Sequence, residues 1–128
     1  MFDAAGIGID LCDIARLEKA IQKQHFYERI YTENERAYLD GRGVVKAQSA
    51  AGLFAAKEAV AKALGTGFAR GVAPWLIEIT HDESGAPGVV LLGGAKEKLE
   101  EIGGSGVLLS ISHEGNTAAA FAVIQRKA

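Results

Sequence analysis

Residues 46–64, KAQSAAGLFAAKEAVAKAL, decide the fold. Alanine, lysine, glutamate and leucine are strong helix formers, the run contains no proline, and Gly65-Thr66-Gly67 follows as a glycine stop. The segment is therefore the longest helix of the chain. On its N-terminal side, Thr32-Glu33-Asn34-Glu35 has the spacing of a capping box, which opens a short helix running to about Leu39 before Asp40-Gly41-Arg42-Gly43 breaks it. Further back, Ile14, Leu17 and Ile21 recur at i, i+3 and i+7, so residues 13 to about 24 form one amphipathic helix. Before that, residues 4–9 are a short apolar run punctuated by glycine, a buried strand that delivers Asp10 to its C-terminal end.

Beyond the long helix the period changes. Residues 75–80, 87–92, 107–113 and 118–124 have strand character between Gly-containing turns, with a short helix over 94–102. Helices in the first half and strands mainly in the second predict an α+β fold. At 128 residues and 48% hydrophobic content, the chain (1–128) has the size of a single domain with one core.

Fourteen basic and sixteen acidic residues leave a formal charge of −2, which gives no bulk attraction to nucleic acid or to a membrane surface. A charge-guided partner must be met by a local patch. No apolar stretch approaches the roughly 20 residues that span a bilayer. The single Cys12 has no internal partner, Asp3 stands where a signal peptide would carry basic residues, and a cytoplasmic location is expected.

Gly6-Ile7-Gly8-Ile9-Asp10 joins two glycines, which permit close backbone approach, to an acid at a strand end; it is neither a dinucleotide fingerprint nor a phosphate loop. Asp10 and Asp13 either cap the first helix and favour its positive end, or Asp10 supplies an oxygen donor to a metal. A second donor is available at Glu58, which shares a helical face with Lys62 four residues on. That pair is either a surface ion pair or a carboxylate on a metal beside an ammonium on a phosphate. Lys57 either serves a nucleotide or remains solvated. Gly65-Thr66-Gly67 either offers amides to an anion or only ends the helix. Arg16, Lys19 and Lys23 make a basic stripe separate from Ile14, Leu17 and Ile21. No histidine has metal-ligand spacing with Cys12 or another histidine, so a zinc site is not expected, and Cys12 is expected to be buried rather than nucleophilic.

Gly8-Ile9-Asp10 with Arg16, and Phe54-Ala55-Ala56-Lys57-Glu58 with Lys62 and Gly65-Thr66-Gly67, resemble the two signature motifs of the holo-acyl-carrier-protein synthases. Glu28-Arg29-Ile30, Thr32-x-x-Glu35, Gly85-x-Pro87 and Ser110-Ile111-Ser112-His113 extend the resemblance, in order, over nearly the whole chain. It implies the phosphopantetheinyl transferase-like fold, with an antiparallel sheet. It also implies transfer of 4′-phosphopantetheine from coenzyme A to a serine of apo acyl carrier protein, with release of adenosine 3′,5′-bisphosphate.

By the same resemblance, Asp10 and Glu58 hold magnesium against the coenzyme A pyrophosphate and Lys62 stabilises phosphate charge. Glu58 or a water then takes the serine proton, and His113 lines the coenzyme A pocket. Arg16 contacts the carrier, which makes Arg16, Lys19 and Lys23 the expected docking surface for an acidic partner. The small members of the family are homotrimers with active sites between subunits. Leu53 departs from the pattern, standing where many relatives carry arginine, and Lys46 is a possible substitute if another subunit brings it near.

Overall fold

The computed structural model describes residues 3–128. β1 (Ala4–Asp13) opens the chain and is followed by α1 (Ile14–Ala20), α2 (Gln24–Ile30) and α3 (Glu33–Asp40). After a short 3-10 turn comes the 18-residue α4 (Lys46–Ala63). β2 (Ile77–His81), β3 (Pro87–Leu91), α5 (Gly93–Glu101), β4 (Gly104–Glu114) and β5 (Thr117–Arg126) complete the chain. The α+β distribution expected from the sequence is present. β1, β5 and β4 form an antiparallel sheet in that order, and β2 and β3 form a separate hairpin.

α4 lies across one face of the three-stranded sheet, and small residues on both partners bring the backbones together. Ala118, Ala120 and Ala122 alternate along β5 and are buried, as are Ala55, Ala59 and Ala63 of α4. Gly6 and Gly8 make the closest approach: a Cβ on either would collide with the Ala63 or Ala59 carbonyl oxygen of α4. The close approach that the two glycines permit is thus to the chain's own helix. On the other side of α4, Tyr31 is fully buried and its hydroxyl donates to the Ala50 carbonyl at 2.8 Å.

The capping box forms as expected, with Thr32 and Glu35 each bonding the other's backbone amide. Glu35 does more than cap. Its Oε2 accepts from the Ile79 amide at 2.7 Å, and its Oε1 lies 2.7 Å from Lys57 Nζ, with both side chains fully buried. Lys57 also donates to the Pro74 and Ile77 carbonyls at 2.8 and 2.6 Å. Neither solvation nor nucleotide contact fits Lys57, because it ties α3, α4 and the start of β2 into one buried knot.

Several boundaries differ from the sequence expectations. β1 does not stop at Ile9; pairing continues to Asp13 opposite Thr117, so Asp10 lies within the strand, opposite Ala120. The helix expected over residues 13–24 ends at Ala20, and Lys23 adopts an extended backbone before α2 begins. The break lets a second helix turn Tyr27 into the core and Phe26 against Phe54. Lys23 therefore leaves the helix that carries Arg16 and Lys19, and the basic stripe is not continuous. Residues 74–76 form a 3-10 turn initiated by Pro74, so the strand expected from Trp75 begins at Ile77. Among the described residues, no helix is long and apolar enough to cross a membrane.

The sheet face opposite α4 is apolar and uncovered. Ile7, Ile9 and Leu11 of β1 are 64%, 60% and 67% exposed, and Phe121, opposite Ile9, and Leu108 are also exposed.

Candidate active site

Strand alternation turns Asp10 to the same side as Gly8 and Cys12, the side that α4 covers. α4 supplies Glu58 and, one turn later, Lys62. Lys62 Nζ lies 3.0 Å from Asp10 Oδ1 and donates to the Ile9 carbonyl, also at 3.0 Å. The surface pair open to Glu58 and Lys62 is therefore not what forms: Lys62 reaches across to the strand. The helix-capping alternative for Asp10 is also resolved, because Asp13 is the N-cap of α1. Asp13 accepts from the Arg16 amide and from Asn116 Nδ2, each at 2.9 Å, and these bonds hold its carboxyl below the usual range.

Asp10, Glu58, Cys12, Arg16 and Phe54 line one cleft. Burial first, and then the Asp10 charge, push the Glu58 carboxyl above its ordinary value against the opposing pull of Lys62. Two carboxylates are thus close enough to repel, with an ammonium beside them. No cluster of three histidine, cysteine or acidic ligands exists among the described residues. A pair of carboxylates without a full protein cage suits magnesium, which keeps waters and takes substrate phosphates as its remaining ligands. Burial and the Asp10 charge push the Cys12 thiol up to about 11, so it is neutral and unreactive near pH 7.

Gly65 and Gly67 have φ of 84° and 58°, conformations that favour glycine. The amides of Gly65, Thr66 and Gly67 donate to the Lys62 and Ala61 carbonyls, so they close the helix. As amide donors to an anion they are already occupied. Lys46 pairs with Asp40 at 2.8 Å and lies 4.6 Å over the Tyr27 ring. His113, exposed near the end of β4, faces Gln48, with Nε2 to Nε2 at 3.1 Å. Arg16, Lys19 and Lys23 are all exposed, but only Arg16 borders the carboxylate cleft.

His113 and Gln48 belong to a second cavity of about 230 Å³, bounded also by Tyr38, Arg42, Ser49 and His81. Sequence reasoning did not single out Arg42, Tyr38 or His81 as site residues, since α3, the following turn and the end of β2 meet only in the folded chain. The Glu35–Lys57 pair was equally hidden. A lysine in an alanine-rich helix gives no sign that its head is buried, and neither the cap nor the motif that includes Glu35 pairs it with Lys57.

The residue pattern has a wider match. Residues 6–122 fit the model of the 4′-phosphopantetheinyl transferase superfamily. The chain is 46% identical over 121 residues to the holo-acyl-carrier-protein synthase of Clostridium acetobutylicum, covering 94% of this chain and 96% of that one. Its backbone is similar to the crystal structure of the Neisseria meningitidis holo-acyl-carrier-protein synthase, with a TM-score of 0.88, 36% identity, and coverage of 97% and 100% of the two chains. The Helicobacter pylori holo-acyl-carrier-protein synthase in complex with coenzyme A is similar at a TM-score of 0.80 and 34% identity, covering 92% and 98%. Matched in sequence and backbone over nearly its whole length, the chain belongs to the 4′-phosphopantetheinyl transferase superfamily and, within it, to the holo-acyl-carrier-protein synthases.

Proposed function

We infer that the protein transfers 4′-phosphopantetheine from coenzyme A to a serine of apo acyl carrier protein. The observation that carries this reading is the convergence of Asp10 from β1 with Glu58 and Lys62 from α4 on a chain matched to the synthases over 94% of its length. The serine oxygen forms a bond to the phosphorus that bears pantetheine. The bond from that phosphorus to the bridging oxygen breaks, and adenosine 3′,5′-bisphosphate leaves with the electron pair.

Asp10 and Glu58 would hold magnesium together with the pyrophosphate oxygens. The ion, when bound, neutralises charge that develops on the leaving phosphate. Lys62, half exposed, contributes a second positive charge at the same edge and holds the Asp10 carboxylate in orientation. Glu58 is the carboxylate at hand for the serine proton. Arg16, which borders the cleft, and Lys19, exposed on the same helix, are basic groups for docking an acidic carrier, and Lys23 adds charge from the following turn.

The catalytic assembly is a homotrimer with active sites between subunits. Two features support this: the uncovered apolar face around Ile9 and Phe121, and the separation of the two cavities by α4. Gln48, Ser49 and Leu53 line one flank of that helix and Phe54 and Glu58 another, so one copy would pair its carboxylates with a neighbour's cavity. Lys46, held by Asp40 in its own subunit, reaches a coenzyme A phosphate in such an assembly only by exchanging that partner. The amides of Gly65, Thr66 and Gly67 leave those residues only a shaping role at the helix end. A reducing cytoplasm suits the free, buried Cys12 thiol.

Chromatographic detection of adenosine 3′,5′-bisphosphate tests the reaction. Release that requires coenzyme A, magnesium and apo carrier together supports the assignment, and no release with several carriers overturns it.

A further inference from the structure

Two of the three amides that open α1 are held by one residue from the far end of the chain. The Ile14 amide donates to the Asn116 carbonyl at 2.9 Å, and the Ala15 amide donates to Asn116 Oδ1 at 3.0 Å. The third amide, of Arg16, donates to Asp13 Oδ1, and Asn116 Nδ2 donates to that same oxygen, each at 2.9 Å. Asn116 thus commits its carbonyl and both ends of its side chain to the start of α1.

Asn116 is itself fixed in place. It follows Gly115 in the two-residue link between β4 and β5, and Gly115 has a φ of 57°, as a glycine at the first position of a tight hairpin link adopts. The next residue, Thr117, pairs with Glu114 of β4 on one side and with Asp13 of β1 on the other. The clamp therefore ties α1 to the same sheet that carries Asp10.

α1 has little else to orient it. It spans seven residues, and Leu17 is its one buried side chain. A helix so short closes few internal hydrogen bonds, so its direction follows from its ends and its packing. Arg16 comes directly after the two clamped amides and lines the cleft with Asp10 and Glu58. A tilt of α1 would move Arg16 and leave the two carboxylates in place, because those stand on β1 and α4.

We propose that Asn116 is a positioning residue that sets the direction of α1 and so aims Arg16 at the acidic carrier. The proposal deepens the docking role given to Arg16 above and rests on it. It also separates acceptor docking, which depends on the clamp, from donor binding, which does not.

Steady-state kinetics test this on the wild-type protein, Asn116→Ala, Arg16→Gln and the double variant, with apo acyl carrier protein and coenzyme A varied in turn. Asn116 is exposed, and Asn116→Ala retains the Gly115 link and the main-chain bond to Ile14, so the variant is expected to keep the fold, which urea unfolding checks. Loss of the side-chain clamp is expected to raise the KM for the carrier about fivefold and the KM for coenzyme A less than about twofold. In the Arg16→Gln background, where no guanidinium remains to be aimed, the same change is expected to raise the carrier KM less than about twofold. A carrier KM that is unchanged in Asn116→Ala overturns the proposal. So does a rise shared equally by both substrates, or one as large without Arg16 as with it, since either outcome assigns Asn116 a structural role only. If Arg16→Gln alone leaves the carrier KM at the wild-type value, the docking role of Arg16 fails and the proposal fails with it; a failure seen only in Asn116→Ala leaves that docking role standing.

Discussion

Lys62 Nζ and Asp10 Oδ1 are 3.0 Å apart, a contact that joins residues separated by 52 positions and links the long helix to the first strand. Lys62 also donates to the Ile9 carbonyl, so its position is set by backbone as well as by charge. The ammonium thereby stays against Asp10, which with Glu58 lines the cleft.

Lys62→Ala is expected to lower kcat about 100-fold or more, the scale seen when one preorganised donor to developing charge is removed. Its effect on stability is expected to stay within about 1 kcal/mol, because Lys62 is half exposed. Steady-state kinetics and urea unfolding separate the two effects. A variant that loses stability but keeps kcat assigns Lys62 a structural role only.

Glu58 gives a pH-dependent stability of known sign. Its proton affinity is raised in the folded protein, so its contribution to stability is fully present below its unfolded pKa and is lost as pH rises through the folded value. In the metal-free protein, Glu58→Gln is therefore expected to become progressively more stable than wild type as pH rises from the ordinary carboxylate range through the raised folded value. The same variant is expected to lose transfer activity. Urea midpoints that keep a constant offset across this range contradict the assignment of the raised pKa.

The buried Glu35–Lys57 pair makes its own demand. Lys57→Met leaves Glu35 with an uncompensated charge at full burial and is expected to cost about 3–5 kcal/mol. The double change Glu35→Gln with Lys57→Met is expected to recover part of that loss, since no ion is then stranded. Denaturant unfolding of the two singles and the double closes the cycle, and strict additivity contradicts the coupling.

The long helix, the capping box and most of the late strands were legible from the sequence because each has a local signal: alanine content, Thr32 with Glu35, and strand runs between glycines. The break at residues 21–23 was not. Ile21 continues the apolar spacing of Ile14 and Leu17, and only the packing of Phe26 and Tyr27 demands a new helix direction. At the site, motif resemblance brought Asp10, Glu58 and Lys62 together, whereas spacing alone left each with an ordinary alternative. The cavity at Arg42 had no local signal because its walls come from α3, the turn after it, α4, the β2–β3 hairpin and β4.

Ile9 and Phe121 lie opposite one another on the uncovered sheet face, so a charge there opposes any association through it. Ile9→Asp is expected to yield a folded monomer of low activity, while the wild type sediments as a trimer. Analytical ultracentrifugation checks both, and a wild-type monomer that is fully active contradicts an active site shared between subunits.

Intact-mass spectrometry of the carrier after incubation with coenzyme A, magnesium and this protein bears most directly on the shared carboxylate site. A gain of one phosphopantetheine on the acceptor serine is expected with the wild-type protein and is expected to be absent with folded Asp10→Ala or Glu58→Ala. Full modification by either variant would show that Asp10 and Glu58 do not form the transfer site.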